Sequence, residues 1–349
     1  MSGKTRNSFA AETKQNQFGR FVIMVEKQNR RTFLQSTGAI GLGLASSANS
    51  WGANGVSASV DLGLDHDRQA PVLASNMGKK PLRLGLIIGV EKDPANTMRR
   101  LKELGFGTAQ LYVEELDLKS APELGKSLDQ YGVEATSLVV GGPGKEVWDF
   151  YGGPETIGLV PRETRAVRIA QMKKASDFAK AAGIPAVQSH CGFIPENPND
   201  PLYQEVVAAI REVAVYCKKN GQNLRYETGQ ETPITLIRAM EDVGTDNQGI
   251  NFDLANLIMY GKANPVDAIE SLGPHVQGIH AKDGLWPANP RELGKEVPIG
   301  KGKVDFPRII SRLKELNYGG AVTIEREVSG PEQIRDVKEA KEYLEKLIG

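Results

Sequence analysis

The sequence predicts an α/β protein with one folded domain, a (β/α)8 barrel, and three observations carry that expectation. From Leu82 onward, short apolar, β-branched runs alternate with longer segments of helical period, and the alternation repeats eight times. Strict alternation of strand and helix implies parallel strands, and eight units in about 270 residues is the size of a closed barrel. No Gly-x-Gly-x-x-Gly follows the first strand, which disfavours a doubly wound open sheet.

In chain order, the strands are expected at 82–89, 108–113, 134–140, 184–190, 223–227, 249–253, 276–280 and 321–325. The helices between them are expected at 95–104, 120–131, 162–182, 202–219, 233–243, 265–272, 306–316 and 331–347. Gly105, Gly132, Gly183, Gly221 and the pair Gly319-Gly320 mark the helix-to-strand turns, where glycine is the usual C-terminal stop. Two connections are long, 141–161 after the third strand and 284–305 after the seventh. Both follow strands, so both belong to the face where barrels of this kind keep their active sites.

The chain has 43 basic and 43 acidic residues, but the balance is uneven along it. Residues 1–58 carry seven basic and two acidic residues, leaving 36 basic and 41 acidic beyond them. An excess of negative charge on the folded part does not attract phosphate backbones, so no nucleic-acid partner is expected. Cys191 and Cys217 form no CxxC and no paired framework, which excludes a zinc knuckle or a disulfide scaffold. No apolar run approaches the roughly 18 residues of a membrane span, so no membrane insertion of the mature chain is expected.

Asn29-Arg30-Arg31-Thr32-Phe33-Leu34-Gln35 precedes a mildly apolar stretch, 38–45. This resembles a twin-arginine export signal; the bland alternative is a basic tail that happens to contain Arg-Arg. Residues 1–58 are therefore read as a signal region, with Val56-Ser57-Ala58 as the cleavage site and Ala48 or Ala53 as rivals. Met24 would give a conventional short basic start. Residues 59–80 read as a linker and 81–349 as the barrel. The resemblance implies a periplasmic or otherwise extracytoplasmic protein that folds before export. Metal could then be acquired in the cytoplasm, where affinity order alone would not dictate copper or zinc.

Four strand ends carry metal-capable side chains: Tyr226-Glu227-Thr228, Phe252-Asp253, Ile279-His280 and Ile324-Glu325. They come from strands five to eight, at the same end of each. Neighbouring strands lie about 4.8 Å apart, so four inward side chains can converge on one ion. A lone carboxylate or histidine at a strand end is more often a cap or a satisfied polar residue; four in consecutive strands favour one divalent metal. Three oxygens and one imidazole suit Mn2+ first, with Mg2+, Co2+ or Zn2+ as alternatives.

With these residues the chain, over about 82–349, is similar to the sugar isomerase/epimerase family of xylose-isomerase-like TIM barrels. That family includes tagatose/psicose 3-epimerases and inosose-processing enzymes. Glu227, Asp253, His280 and Glu325 match its metal ligands in order and by strand. His280-Ala281-Lys282-Asp283 matches its His-x-Lys-Asp segment, and Gly300-Lys301-Gly302-Lys303-Val304-Asp305-Phe306 its Gly-x-Gly-x-x-Asp-Phe approach to the seventh helix. The resemblance implies proton abstraction next to the carbonyl of a keto-sugar or related polyol, through an enediolate, with Glu227 and Glu325 as base and acid. One departure is plain: where some sugar epimerases carry Asp-x-x-His, this chain has Asp253-Leu254-Ala255-Asn256, and asparagine cannot titrate.

Further candidates for substrate contact are His190 at the end of the fourth strand, Lys282, Asn256, Trp148 in the first long connection and Glu231. Lys282 could instead pair with Asp283, and Glu231 could begin the fifth helix. His275 is expected to start the seventh strand, away from the catalytic end, in a structural role. The resemblance implies a small-molecule sugar or polyol as the partner, and a homo-oligomer is a further expectation. Three rival functions fit the pattern less fully. One is a lyase or dehydratase acting on a keto-sugar, keto-glycoside or inosose; another is a non-catalytic carbohydrate-binding barrel. The third, a DNA-repair endonuclease of this fold, would need a histidine-rich three-metal cluster, and the chain has only His66, His190, His275 and His280.

Overall fold

The computed structural model describes residues 80–349. The signal region read over 1–58 and all but the last residue of the linker read over 59–80 lie outside the described residues. Eight parallel strands close into a barrel: β1 (Arg83–Gly89), β2 (Thr108–Tyr112), β3 (Glu134–Val139), β4 (Ala186–Ser189), β5 (Asn223–Glu227), β6 (Gln248–Asp253), β7 (Val276–Ala281) and β10 (Ala321–Ile324). Each pairs with the strand before it, and β1 closes on β10 with Arg83 opposite Ala321 and Leu86 opposite Ile324. The remaining two strands, β8 (Asp283–Gly284) and β9 (Glu296–Val297), form a small antiparallel hairpin in the second long connection.

The helices are α1 (Pro94–Glu103), α2 (Ala121–Tyr131), α3 (Gly153–Thr156), α4 (Arg162–Ala181), α5 (Pro201–Lys219), α6 (Pro233–Val243), α7 (Leu254–Met259), α8 (Pro265–Leu272), α9 (Phe306–Glu315) and α10 (Gly330–Ile348). Their starts are written locally. Asp93, Asp200, Thr232, Asn264 and Asp305 each accept a first-turn backbone N–H through the side chain, and proline occupies one of the first two helical positions. In α9 the buried set Phe306, Ile309, Ile310 and Leu313 follows the i, i+3, i+4, i+7 stripe that packs a helix onto a barrel. Among the described residues, no helix is long and apolar enough to cross a membrane.

Several boundaries differ from the sequence expectation for identifiable reasons. β4 is shorter at its start, because the N–H of Ile184 closes the preceding helix onto Ala179 and Pro185 has no N–H for a ladder. His275 ends a 3-10 turn, Gly273–His275, instead of starting β7. Glu231 does not begin the fifth long helix: Thr232 caps α6, and Glu231 precedes the cap. The stop expected at Gly319-Gly320 is made earlier, by Asn317 in the left-handed region at φ 54, a conformation asparagine tolerates. Two helices went unread. α3 has four residues, and α7 is buried along its whole length, so it shows no amphipathic period.

Candidate metal centre

Glu227 and Asp253 are the last residues of β5 and β6, His280 is the penultimate residue of β7, and Glu325 follows β10 directly. All four are buried, and one ligand atom from each lies within 4.8 Å of the others. His280 Nδ1 stands 2.9 Å from Glu325 Oε2, 3.1 Å from Glu227 Oε1 and 3.4 Å from Asp253 Oδ2. Nevertheless His280 Nδ1, Asp253 Oδ2 and Glu325 Oε2 make no hydrogen bond among the described residues. Buried polar atoms are almost always hydrogen-bonded; these three lack a partner among the described residues where the four side chains converge. Three carboxylates and one imidazole around such a point fit a divalent cation held largely by oxygen.

The electrostatics say the same. Burial disfavours a charged His280, yet the Glu325 and Glu227 carboxylates override it and hold its pKa well above the usual value. Burial likewise works against a charged Glu227, and His190 and His280 override it, so its pKa falls well below the usual carboxylate range. The cluster therefore demands positive charge at its centre, and a metal ion competes with protons for it.

The remaining lone pairs and donors are tied by side chains that the sequence did not single out. His280 Nε2 donates to Gln110 Oε1 at 2.7 Å, which leaves Nδ1 as the nitrogen facing the carboxylates. Gln110 is itself fixed, donating from Nε2 to Asn251 Oδ1 at 2.8 Å. Gln188 donates to Glu227 Oε2 at 3.2 Å and accepts from Ser137 Oγ at 3.0 Å. The layer beneath the ligands is thus polar, where barrel interiors more often carry branched apolar side chains. Gln110→Leu keeps the volume and removes the tautomer-fixing acceptor. It should weaken divalent-metal affinity by about 10- to 100-fold, read by calorimetric titration of Mn2+. An unchanged affinity would refute the role.

Asp253 serves twice. Oδ2 faces the cluster, while Oδ1 accepts the Asn256 N–H at 2.7 Å and caps α7. Asn256 is buried on that first turn, and its Oδ1 accepts from Lys282 Nζ at 3.2 Å. Lys282 is fully buried. Its Nζ lies 3.5 Å from Glu325 Oε2 and 3.8 Å from Asp253 Oδ2, and it also pairs with Glu327. It does not pair with Asp283. That carboxylate instead accepts four backbone N–H groups, from Gly284, Gly300, Gly302 and Val304, at 2.8–3.1 Å. This gives the Gly-x-Gly segment a physical role: a Cβ on Gly302 would lie 2.1 Å from Asp283 Oδ1. Asp283 thereby pins the second long connection over the barrel mouth.

A pocket opens above the ligands, and Glu227, Glu325, His190, Trp148, Tyr112 and Glu146 line it. His190 follows β4; its Nε2 is 3.2 Å from Glu227 Oε1 and its Nδ1 is 3.1 Å from Gln230 Oε1. Burial pushes its pKa down, but Glu227 overrides that and holds it at about 9. Trp148 packs edge-on against the His190 ring, centroids 4.9 Å apart. Glu231 is buried, its Oε2 has no hydrogen bond among the described residues, and burial raises its pKa to about 7. Tyr112 and Glu146 were missed; the only signal was that Glu146 belongs to a long connection after a strand.

Residues 98–347 match the model of the xylose isomerase-like TIM barrel family. A solved structure of a xylose isomerase domain protein from Planctomyces limnophilus is 35% identical, covers 76% of this chain and 97% of its own, and superposes with a TM-score of 0.71. The L-ribulose-5-phosphate 3-epimerase of Salmonella paratyphi B is 23% identical over 257 residues, 65% of this chain and 80% of that enzyme. The inosose dehydratase of Geobacillus kaustophilus is 25% identical over 169 residues, 43% of this chain and 54% of that enzyme.

Proposed function

The chain belongs to the xylose isomerase-like TIM barrel family, and from that premise we propose that it is a divalent-metal-dependent isomerase or epimerase of a keto-sugar or related polyol. Manganese is the ion of first choice, with magnesium, cobalt or zinc as alternatives. One observation carries the reading: of the four converging residues, it is Glu227 and Glu325 that line the pocket. A ligand set that only held an ion would have no need to present two carboxylates to a substrate. The ion, when bound, supplies the positive charge that polarises a carbonyl and eases loss of the neighbouring proton.

The chain's own residues then divide the work. One glutamate removes the proton from the carbon next to the carbonyl. The other returns a proton to the opposite face, giving an epimer, or to the adjacent carbon, giving an isomer. His190, 3.2 Å from Glu227, orients that carboxylate and offers its ring to a substrate hydroxyl. Trp148 braces the His190 ring and walls the pocket. Lys282, buried and outside the pocket lining, offsets the charge of Glu325 and Asp253, while Asn256 fixes Lys282. Glu231 is a further hydrogen-bonding group beside His190.

Elimination is the second reading, favoured by the similarity to an inosose dehydratase and by Asn256 at the position where some epimerases have histidine. It shares the proton abstraction and then loses a β-hydroxyl or alkoxide as the leaving group. Incubating the manganese-loaded protein with keto-sugars and glycosides in D2O separates the cases by NMR. Deuterium at an inverted or neighbouring carbon supports the first reading. A new unsaturated, ultraviolet-absorbing product supports the second. Metal retention with neither exchange nor turnover would leave a carbohydrate-binding barrel and overturn both.

We also propose export by the twin-arginine route, resting on Arg30-Arg31-Thr32-Phe33-Leu34. Replacing both arginines by lysine should retain the protein in the cytoplasm, scored by cell fractionation; normal export of the double variant would refute it.

A further inference from the structure

The loop between β3 and α3 carries a carboxyl group into the pocket that no metal ligation explains. Glu146 is buried, 4% exposed, and lines the pocket together with His190, Trp148, Glu227 and Glu325. Its two oxygens have different surroundings. Oε1 accepts the Gly142 N–H at 3.1 Å and lies 3.9 Å from Arg168 Nη2. Oε2 is buried and has no hydrogen-bond partner among the described residues. Leaving a buried carboxylate oxygen unsatisfied is costly, so one that persists beside a substrate pocket points to a partner that arrives from outside.

The rest of the loop is built to hold that carboxyl. Arg168 comes from α4 and is 2% exposed; its Nη1 donates to the Gly158 carbonyl at 2.8 Å and its Nη2 to the Lys145 carbonyl at 3.4 Å. It packs so closely on Gly142 that a Cβ there would lie 2.3 Å from Arg168 Nε. A buried arginine therefore clamps both ends of the segment that bears Glu146. An ion pair alone would not need this arrangement, since at 3.9 Å the guanidinium leaves Oε2 untouched.

We propose that Glu146 is a substrate-binding residue that sets sugar specificity, its Oε2 accepting a hydrogen bond from a hydroxyl of the sugar that the metal ligands do not engage. Arg168 and Gly142 are positioning residues for it. The inference rests on the sugar-site reading above and adds a lining group that is not one of the four ligands. A carboxylate accepts from a hydroxyl in a defined direction, so it discriminates between sugars that differ in the configuration of one carbon.

The test is calorimetric binding of D-fructose, D-tagatose, D-psicose and myo-inositol to the manganese-loaded protein, compared with Glu146→Ala and Glu146→Gln. The best-binding sugar should lose about 10- to 100-fold in affinity in Glu146→Ala. The order of preference among the four should change, with manganese stoichiometry unaltered. Glu146→Gln keeps shape and one acceptor, so it should lose less, and it decides the matter if the alanine variant does not fold. Unchanged sugar affinities and preference in a folded, metal-loaded variant would show that Glu146 only braces Arg168, and would overturn this inference alone. A wild type that holds manganese yet binds none of the four would overturn the sugar-site reading and this inference together.

Discussion

Mn2+ titrated into the apo protein should find one site per chain in the wild type and none in His280→Ala or Asp253→Ala. His280 contributes the nitrogen that three carboxylates surround at 2.9–3.4 Å, and without it no fourth ligand converges. The Asp253 variant needs a control, because Asp253 Oδ1 also caps α7. Losing the cap costs about 1 kcal/mol in the absence of metal. Asp253→Asn keeps a capping oxygen, so it isolates the effect on metal. Melting curves give an independent reading: at metal about 100 times Kd the wild type should gain about 2.7 kcal/mol and the variants nothing. Unchanged stoichiometry in both His280 and Asp253 variants would remove the assignment.

Glu227→Gln and Glu325→Gln should each cut turnover by about 10²–10⁴-fold at saturating metal, because the amide keeps shape and one oxygen donor but cannot take a proton. Occupancy must be measured alongside, since the amide is also a weaker ligand. The two variants need not behave alike. Glu227 is held by His190 and Gln188, whereas Glu325 stands beside Lys282. If the carboxylates serve opposite faces of the substrate, one variant should still exchange the α-proton with D2O while forming no product. Near-normal turnover by either variant at full occupancy would move the base elsewhere, with His190 and Lys282 as the next groups to replace, and would favour the elimination reading.

What was legible in the sequence was local. Strand and helix order followed from periodicity and punctuation: proline and capping side chains at helix starts, glycine at most helix ends. The four ligands were legible because each ends or directly follows an apolar β-run. Parallel strands in consecutive units bring such ends to one rim, whatever the details of packing. Elements too short or too uniformly buried to show a period, α3, α7 and the β8–β9 hairpin, were not.

The sequence by itself determined which side chains meet at the rim and the polarity of the centre they form. Only barrel closure decided what stands behind and above them. Gln110 fixes the His280 ring from 170 positions away. Lys282 answers to Glu325, Asp253 and Glu327 and not to its neighbour Asp283, because adjacent residues in an extended segment point to opposite faces. Glu146 reaches the pocket on a loop whose carbonyls at Lys145 and Gly158 take hydrogen bonds from Arg168, buried 22 positions further along the chain. Periodicity specifies the face on which a residue lies; it does not specify which residues the closed barrel brings opposite it.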